Sequence, residues 1–153
     1  MKRPSLSRGF TLIEILVVIA ILATLAAVTL LAFRNVYRDS ARRTAIVEIA
    51  DAFRDSRNNT LGAVNDTVYG VRVGTSSVTR FTGNTYTLGA VTNEVYEYEG
   101  GVTATGTLVT NGIAVVFARL TGIPSATGTI LVRDIDQAGS TSVRIQSTGL
   151  IEY

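Results

Sequence analysis

At 153 residues the chain has room for one ordinary domain and little more, and 46% hydrophobic residues sets it among globular or membrane-attached proteins rather than disordered ones. Neither cysteine nor histidine occurs, which excludes disulfides, zinc sites of the usual Cys/His type, cysteine nucleophiles and any imidazole base. The formal net charge of +2 falls to about −1 once Lys2, Arg3 and Arg8 are set aside, so the basic balance belongs to the first few residues and argues poorly for a nucleic-acid partner.

Residues 1–9, MKRPSLSRG, are short, basic and broken by a Pro and a Gly, and read as a cytoplasmic leader rather than folded structure. A secretory signal is cut after its apolar region. Here the candidate junction, Gly9-Phe10, precedes the apolar run, so cleavage there would leave that run in the mature chain.

From Ile15 to Phe33 no charge occurs over about 19 residues, which as a helix extend roughly 28 Å, close to the hydrocarbon thickness of a bilayer. Arg34, Arg38, Arg42 and Arg43 follow the run and compete with the leader charges, so flanking charge alone does not orient the span. Between Asn35 and Arg57 there is neither Gly nor Pro, and Ile46, Ile49, Ala50 and Phe53 recur at three- and four-residue spacing. Asp39 with Arg42 or Arg43, Asp51 with Arg54, and Asp55 with its basic neighbours are placed for exposed pairs worth a few tenths of a kcal/mol. Asn58, Asn59 and Gly62 supply the stop, so a single helix of about 50 residues is expected. Its transmembrane half is placed at 10–33 and its amphipathic half at 34–61.

Beyond Gly62 the chain turns to short β-branched and aromatic runs between Gly, Asn, Ser and Thr. Strands are expected at Thr67–Val73, Thr85–Leu88, Val95–Glu99, Thr107–Val109, Ile113–Arg119, Thr129–Arg133, Ser142–Gln146 and Leu150–Tyr153. The fold class is therefore α+β, a long N-terminal helix packed on an antiparallel β-sheet region at 62–153, with 34–153 forming one soluble domain. Val95–Glu99 and Val143–Gln146 alternate in character, as when one face of a strand packs and the other meets solvent.

The residue that most needs a reason is Glu14, in the string Gly9-Phe10-Thr11-Leu12-Ile13-Glu14 at the edge of the uncharged run. An acidic side chain at the centre of a bilayer costs about 2.5–3.5 kcal/mol on insertion scales and less near the interface, so it calls for a partner. Cleavage after Gly9 would create one, because the new α-amino group of Phe10 is cationic and lies within reach of a neighbouring subunit's Glu14 if the helices stagger axially. Such a pair would stabilise a helix bundle and set its register.

That string and the apolar run behind it resemble the class III signal and anchor of type IV pilins and type II secretion pseudopilins. The resemblance implies that a prepilin peptidase cuts after Gly9 and methylates the amine of Phe10, and that Glu14 is required for assembly. It also implies other pilin or pseudopilin subunits, an inner-membrane assembly platform and the lipid bilayer as partners. The chain would sit in the inner membrane as a single-pass protein with a cytoplasmic N-terminus, and later in a periplasmic or extracellular filament. No cofactor and no catalytic activity are expected.

Phe117–Gly122, Gly128–Val132 and Val143–Gly149 are similar to the H-type pseudopilin and FimT-like minor pilin branch. Members of that branch proposed to bind DNA carry a Gly-Arg pair near the C-terminus, whereas this chain ends Gly149-Leu150-Ile151-Glu152-Tyr153. Its arginines beyond Arg57 are scattered singly at 72, 80, 119, 133 and 144, which speaks against nucleic acid. Many major pilins place a Pro near the position of Leu31 and a Gly near Ala23; neither breaker is present, which fits a pseudopilin or minor subunit better.

Two other clusters carry competing chemistry. Asp134 and Asp136, followed by Gly139, resemble the start of a calcium loop, but no bidentate Glu follows, and ordinary turn chemistry uses the same residues. Glu97 and Glu99, beside Tyr96 and Tyr98, could be a carboxylate pair for sugar cleavage, yet residues two apart on a strand share a face, so a wet edge explains them. Three functions therefore compete: a structural filament subunit, a filament-tip module that binds DNA or a surface ligand, and a membrane-tethered hydrolase that lacks a nucleophile with a base.

Overall fold

The structure, a computed structural model, describes residues 9–134 and 139–153. One helix, α1, runs from Leu12 to Leu61 without interruption. Eight strands follow in chain order: β1 (Tyr69–Val73), β2 (Ser77–Thr82), β3 (Glu94–Glu97), β4 (Thr103–Gly106), β5 (Ala114–Val116), β6 (Gly128–Arg133), β7 (Ser140–Ile145) and β8 (Ile151–Glu152). A one-turn helix, α2 (Thr107–Thr110), lies between β4 and β5. The fold is a long N-terminal helix followed by an antiparallel β region, as the sequence indicates.

The chain divides into two units between Val36 and Tyr37. Within the second, the described strands form two four-stranded sheets, ordered β3-β2-β1-β5 and β4-β6-β7-β8. The C-terminal half of α1 supplies Ala45, Ile49 and Phe53 to a core that also takes Val71, Val78 and Phe117 from the first sheet side and Ile130, Val132 and Val143 from the second. The three- and four-residue spacing in α1 thus marks the face that is buried: Ile46, Ile49, Ala50 and Phe53 are all shielded from solvent. Phe53 meets Phe117 edge to face, with ring centroids 6.4 Å apart.

Two expected strands are absent. Thr85–Leu88 belongs to a closed loop, in which Ala90 N–H donates to Thr87 O, Asn93 N–H to Ala90 O and the Asn93 side chain to Thr87 O at 2.8 Å. Tyr86 in that loop packs edge-on against Phe81, which itself covers Gly70; a Cβ at Gly70 would lie 2.4 Å from the Phe81 ring. Thr107–Val109 is the turn α2, which drives Leu108 into the core. Of the true strands beside them, β4 has a weak signal because it is made of Thr, Ala and Gly, whereas β2 carries Val78, Thr79 and Phe81 on buried positions and escapes the sequence reading despite its β-forming residues.

The strand expected at Val95–Glu99 starts one residue earlier and ends at Glu97, and all four of its residues are exposed. The anticipated alternation fails because β3 is an edge strand, paired only with β2. In β7 the alternation holds, with Val143 and Ile145 buried and Arg144 exposed.

Truncating Phe53 to Ala removes a fully buried ring and its contact with Phe117. The expected loss is about 3–5 kcal/mol of folding stability, read from denaturant unfolding of the full chain in detergent.

Candidate functional site

Gly9 and Phe10 precede α1 in non-helical conformation, and Thr11 caps it. The Thr11 hydroxyl accepts from the backbone N–H of Glu14 at 3.3 Å, and Ile15 N–H donates to Thr11 O. Thr11-Leu12-Ile13-Glu14 therefore has the Ser/Thr-x-x-Glu arrangement of a capping box, a local signal that the sequence reading passed over. Glu14 occupies the first turn, where the positive end of the helix dipole favours a carboxylate by a few tenths to about 1 kcal/mol. Its position is thus favourable within one chain, before any partner arrives.

Phe10 is 79% exposed, and a Cβ built on Gly9 meets nothing within 4 Å. Packing places no demand on Gly9, so a requirement for glycine there would come from something that reads the chain.

The apolar side of α1 is equally uncovered. Ile15, Leu16, Val17, Val18, Ile19 and Leu22 are each about half exposed or more, and the same holds through Phe33 for the large apolar side chains described. α1 contains a stretch long and apolar enough to cross a membrane by length and composition. Its hydroxyls are quieted locally: Thr24 donates to Ile21 O and Thr29 to Leu25 O, both at 2.8 Å, so neither enters an apolar medium unsatisfied.

Farther along α1, Asp39 takes hydrogen bonds from both Arg42 and Arg43, the latter at 2.8 Å. The Arg43 bond is the main reason its carboxyl is held below the usual range. Asp51 pairs with Arg54 at 3.4 Å, while Asp55 reaches across to Arg80 of β2 at 3.0 Å rather than to a helix neighbour. Arg80 also binds Glu94 of β3 at 3.3 Å. Asp51, Asp55, Arg80 and Tyr96 line a cleft of about 260 Å³ that the sequence reading did not foresee, since its members lie far apart in the chain.

Glu48 lines the same cleft, and its carboxyl is pushed above the ordinary value, first by burial and then by the charge of Glu99. Tyr98 is buried, and its hydroxyl, which has no hydrogen-bond partner, is raised by burial and by Glu48. Glu97 and Glu99 are both exposed, but only Glu97 lies in the strand. Asp134 is buried; Asp136, its companion in the calcium-loop reading, lies outside the described residues. Among the described residues no group of three or more potential ligands could hold a metal ion.

Residues 4–30 match the family model described as the prokaryotic N-terminal methylation motif. This is the leader motif of type IV pilins and pseudopilins, and it supports a type IV pilin-like or pseudopilin subunit that is anchored in a membrane and processed by prepilin peptidase. No curated protein and no solved structure matches the chain.

Because the folded state raises the Glu48 pKa, its ionisation opposes folding: the penalty is absent below the ordinary glutamate range and complete once pH exceeds the raised value. Glu48→Gln is therefore expected to raise the melting temperature at pH 7 and to match the unsubstituted chain near pH 3.5. A thermal melt at the two pH values checks this.

Proposed function

We propose that this chain is a minor pilin or pseudopilin, a structural subunit that polymerises through α1 after removal of residues 1–9. The observation that carries the reading is Glu14: one carboxylate in the first turn of α1, at the head of its apolar, exposed stretch, four residues after the residue that cleavage would make the N-terminus. In lipid the Phe10 ammonium and a neighbour's Glu14 would each be costly alone and would offset one another as a pair. Such a contact favours parallel helices with a small axial stagger, because the amine and the acid lie about one turn apart.

Three further features support the same reading. The methylation motif extends over 4–30 and runs without a break into the apolar helix. Neither Pro nor Gly occurs in α1, so the anchor stays helical throughout, as suits a pseudopilin or minor subunit. The chain has no Cys or His, so cysteine nucleophiles and imidazole bases form no part of the proposal.

Gly9→Val is expected to leave an uncut precursor with an unchanged fold, detected by mass on gels of membrane fractions, because the added side chain meets no atom. Glu14→Ala is expected to be cut and inserted but to fall at least about tenfold in the sheared filament fraction, as for loss of one desolvated charge pair. Thr11→Ala separates capping from assembly. It weakens the helix start by about 1 kcal/mol while keeping the acid, and it should assemble normally. Equal assembly of the Glu14→Ala chain and the unsubstituted one would remove the charge-pair basis of the proposal.

A further inference from the structure

The cleft beside β3 concentrates charge of one sign. Glu48, Asp51 and Asp55 on α1 line it with Arg80, which also binds Glu94 on the edge strand; the charge of Glu99 acts on Glu48, and the cations in the group are Arg80 and, on Asp51, Arg54. Two features are hard to explain by folding alone. Glu48 is kept there although burial and Glu99 both oppose its ionisation. Tyr98, nine-tenths buried, has a hydroxyl without a hydrogen-bond partner among the described residues, and the charge of Glu48 acts on it. A guanidinium arriving beside Glu48 would relieve the first and give the second a donor to accept from.

The chain itself carries a cation suited to this. Arg43 is 76% exposed in its side chain and holds Asp39 only in a local surface pair, which solvent screens and which is readily exchanged. Arg43 and Glu48 lie five residues apart on α1, which puts them about 140° apart around the helix, on opposite flanks. Two parallel copies lying side by side can therefore set the Arg43 flank of one against the Glu48 flank of the next. The axial offset required is about five residues, or roughly 7 Å. The spacing between Phe10 and Glu14 demands nearly the same offset.

We infer that the acidic cleft is the docking site for Arg43 of a second copy of this chain. Each copy offers one acidic and one basic flank, so the contact is heterologous and propagates without closing. This inference rests on the filament reading.

The native chain is free of cysteine, which makes disulfide mapping free of background. Full-length Arg43→Cys and Glu48→Cys chains, co-expressed in one membrane and oxidised with copper phenanthroline, should give a disulfide-linked dimer that neither gives alone. Val18→Cys chains in parallel samples report whether the apolar helices associate at all. A Val18 dimer without the mixed dimer would overturn the docking inference and leave the filament reading standing; the absence of both would remove the two together. In a second arm, Glu48→Arg should cut filament incorporation about tenfold, and Arg43→Glu added to the same chain should restore it. Unrestored loss in the double variant, with an intact thermal melt, would also overturn the inference.

Discussion

The apolar stretch of α1 has no cover of its own. The large apolar side chains described between Ile15 and Phe33 stand exposed, and the sheets take their core from a later part of the same helix. Water cannot be the medium for such a surface, since burying one large aliphatic side chain is worth about 1.5–3 kcal/mol and many are involved. Lipid or other helices must supply the cover. The features proposed to act at the N-terminus follow from that constraint, because a lone carboxylate is costly only where water is scarce.

The second half of α1 solves a different problem. There the buried face carries Ala45, Ile49 and Phe53, and the exposed face carries alternating clusters of Arg and acid. One continuous helix thus joins a segment that needs an external apolar partner to a segment that already has an internal one.

The parts of the fold legible in the sequence are those in which one signal dominates. No Gly or Pro interrupts the chain from Phe10 to Leu61, and the helix runs through nearly all of it; Val143 and Ile145 alternate with Arg144, and that strand has one buried face. Illegible were elements whose identity depends on distant partners. Thr85–Leu88 has strand-like residues, but Tyr86 is drawn onto Phe81 and the loop closes on itself. Leu108 sits in a run of β-formers and nevertheless enters the core from a helical turn. Of the candidate site, the string from Gly9 to Glu14 is local and could be read directly. The cleft could not, since Glu48, Arg80 and Glu94 meet only through the β2–β3 pairing and the packing of α1 beside it.

Lys2 is the lone lysine of the chain, so a polypeptide that has lost residues 1–9 retains a single primary or secondary amine, the α-amine of Phe10. The intact mass of the protein taken from membranes, before and after exhaustive amine acylation, therefore tests the origin of the charge that Glu14 is held to meet. The expected result is a chain beginning at Phe10, carrying one added methyl group and accepting one acyl group. A mass that still includes Met1 and Lys2 would contradict it, for the cationic partner of Glu14 would then never have been made.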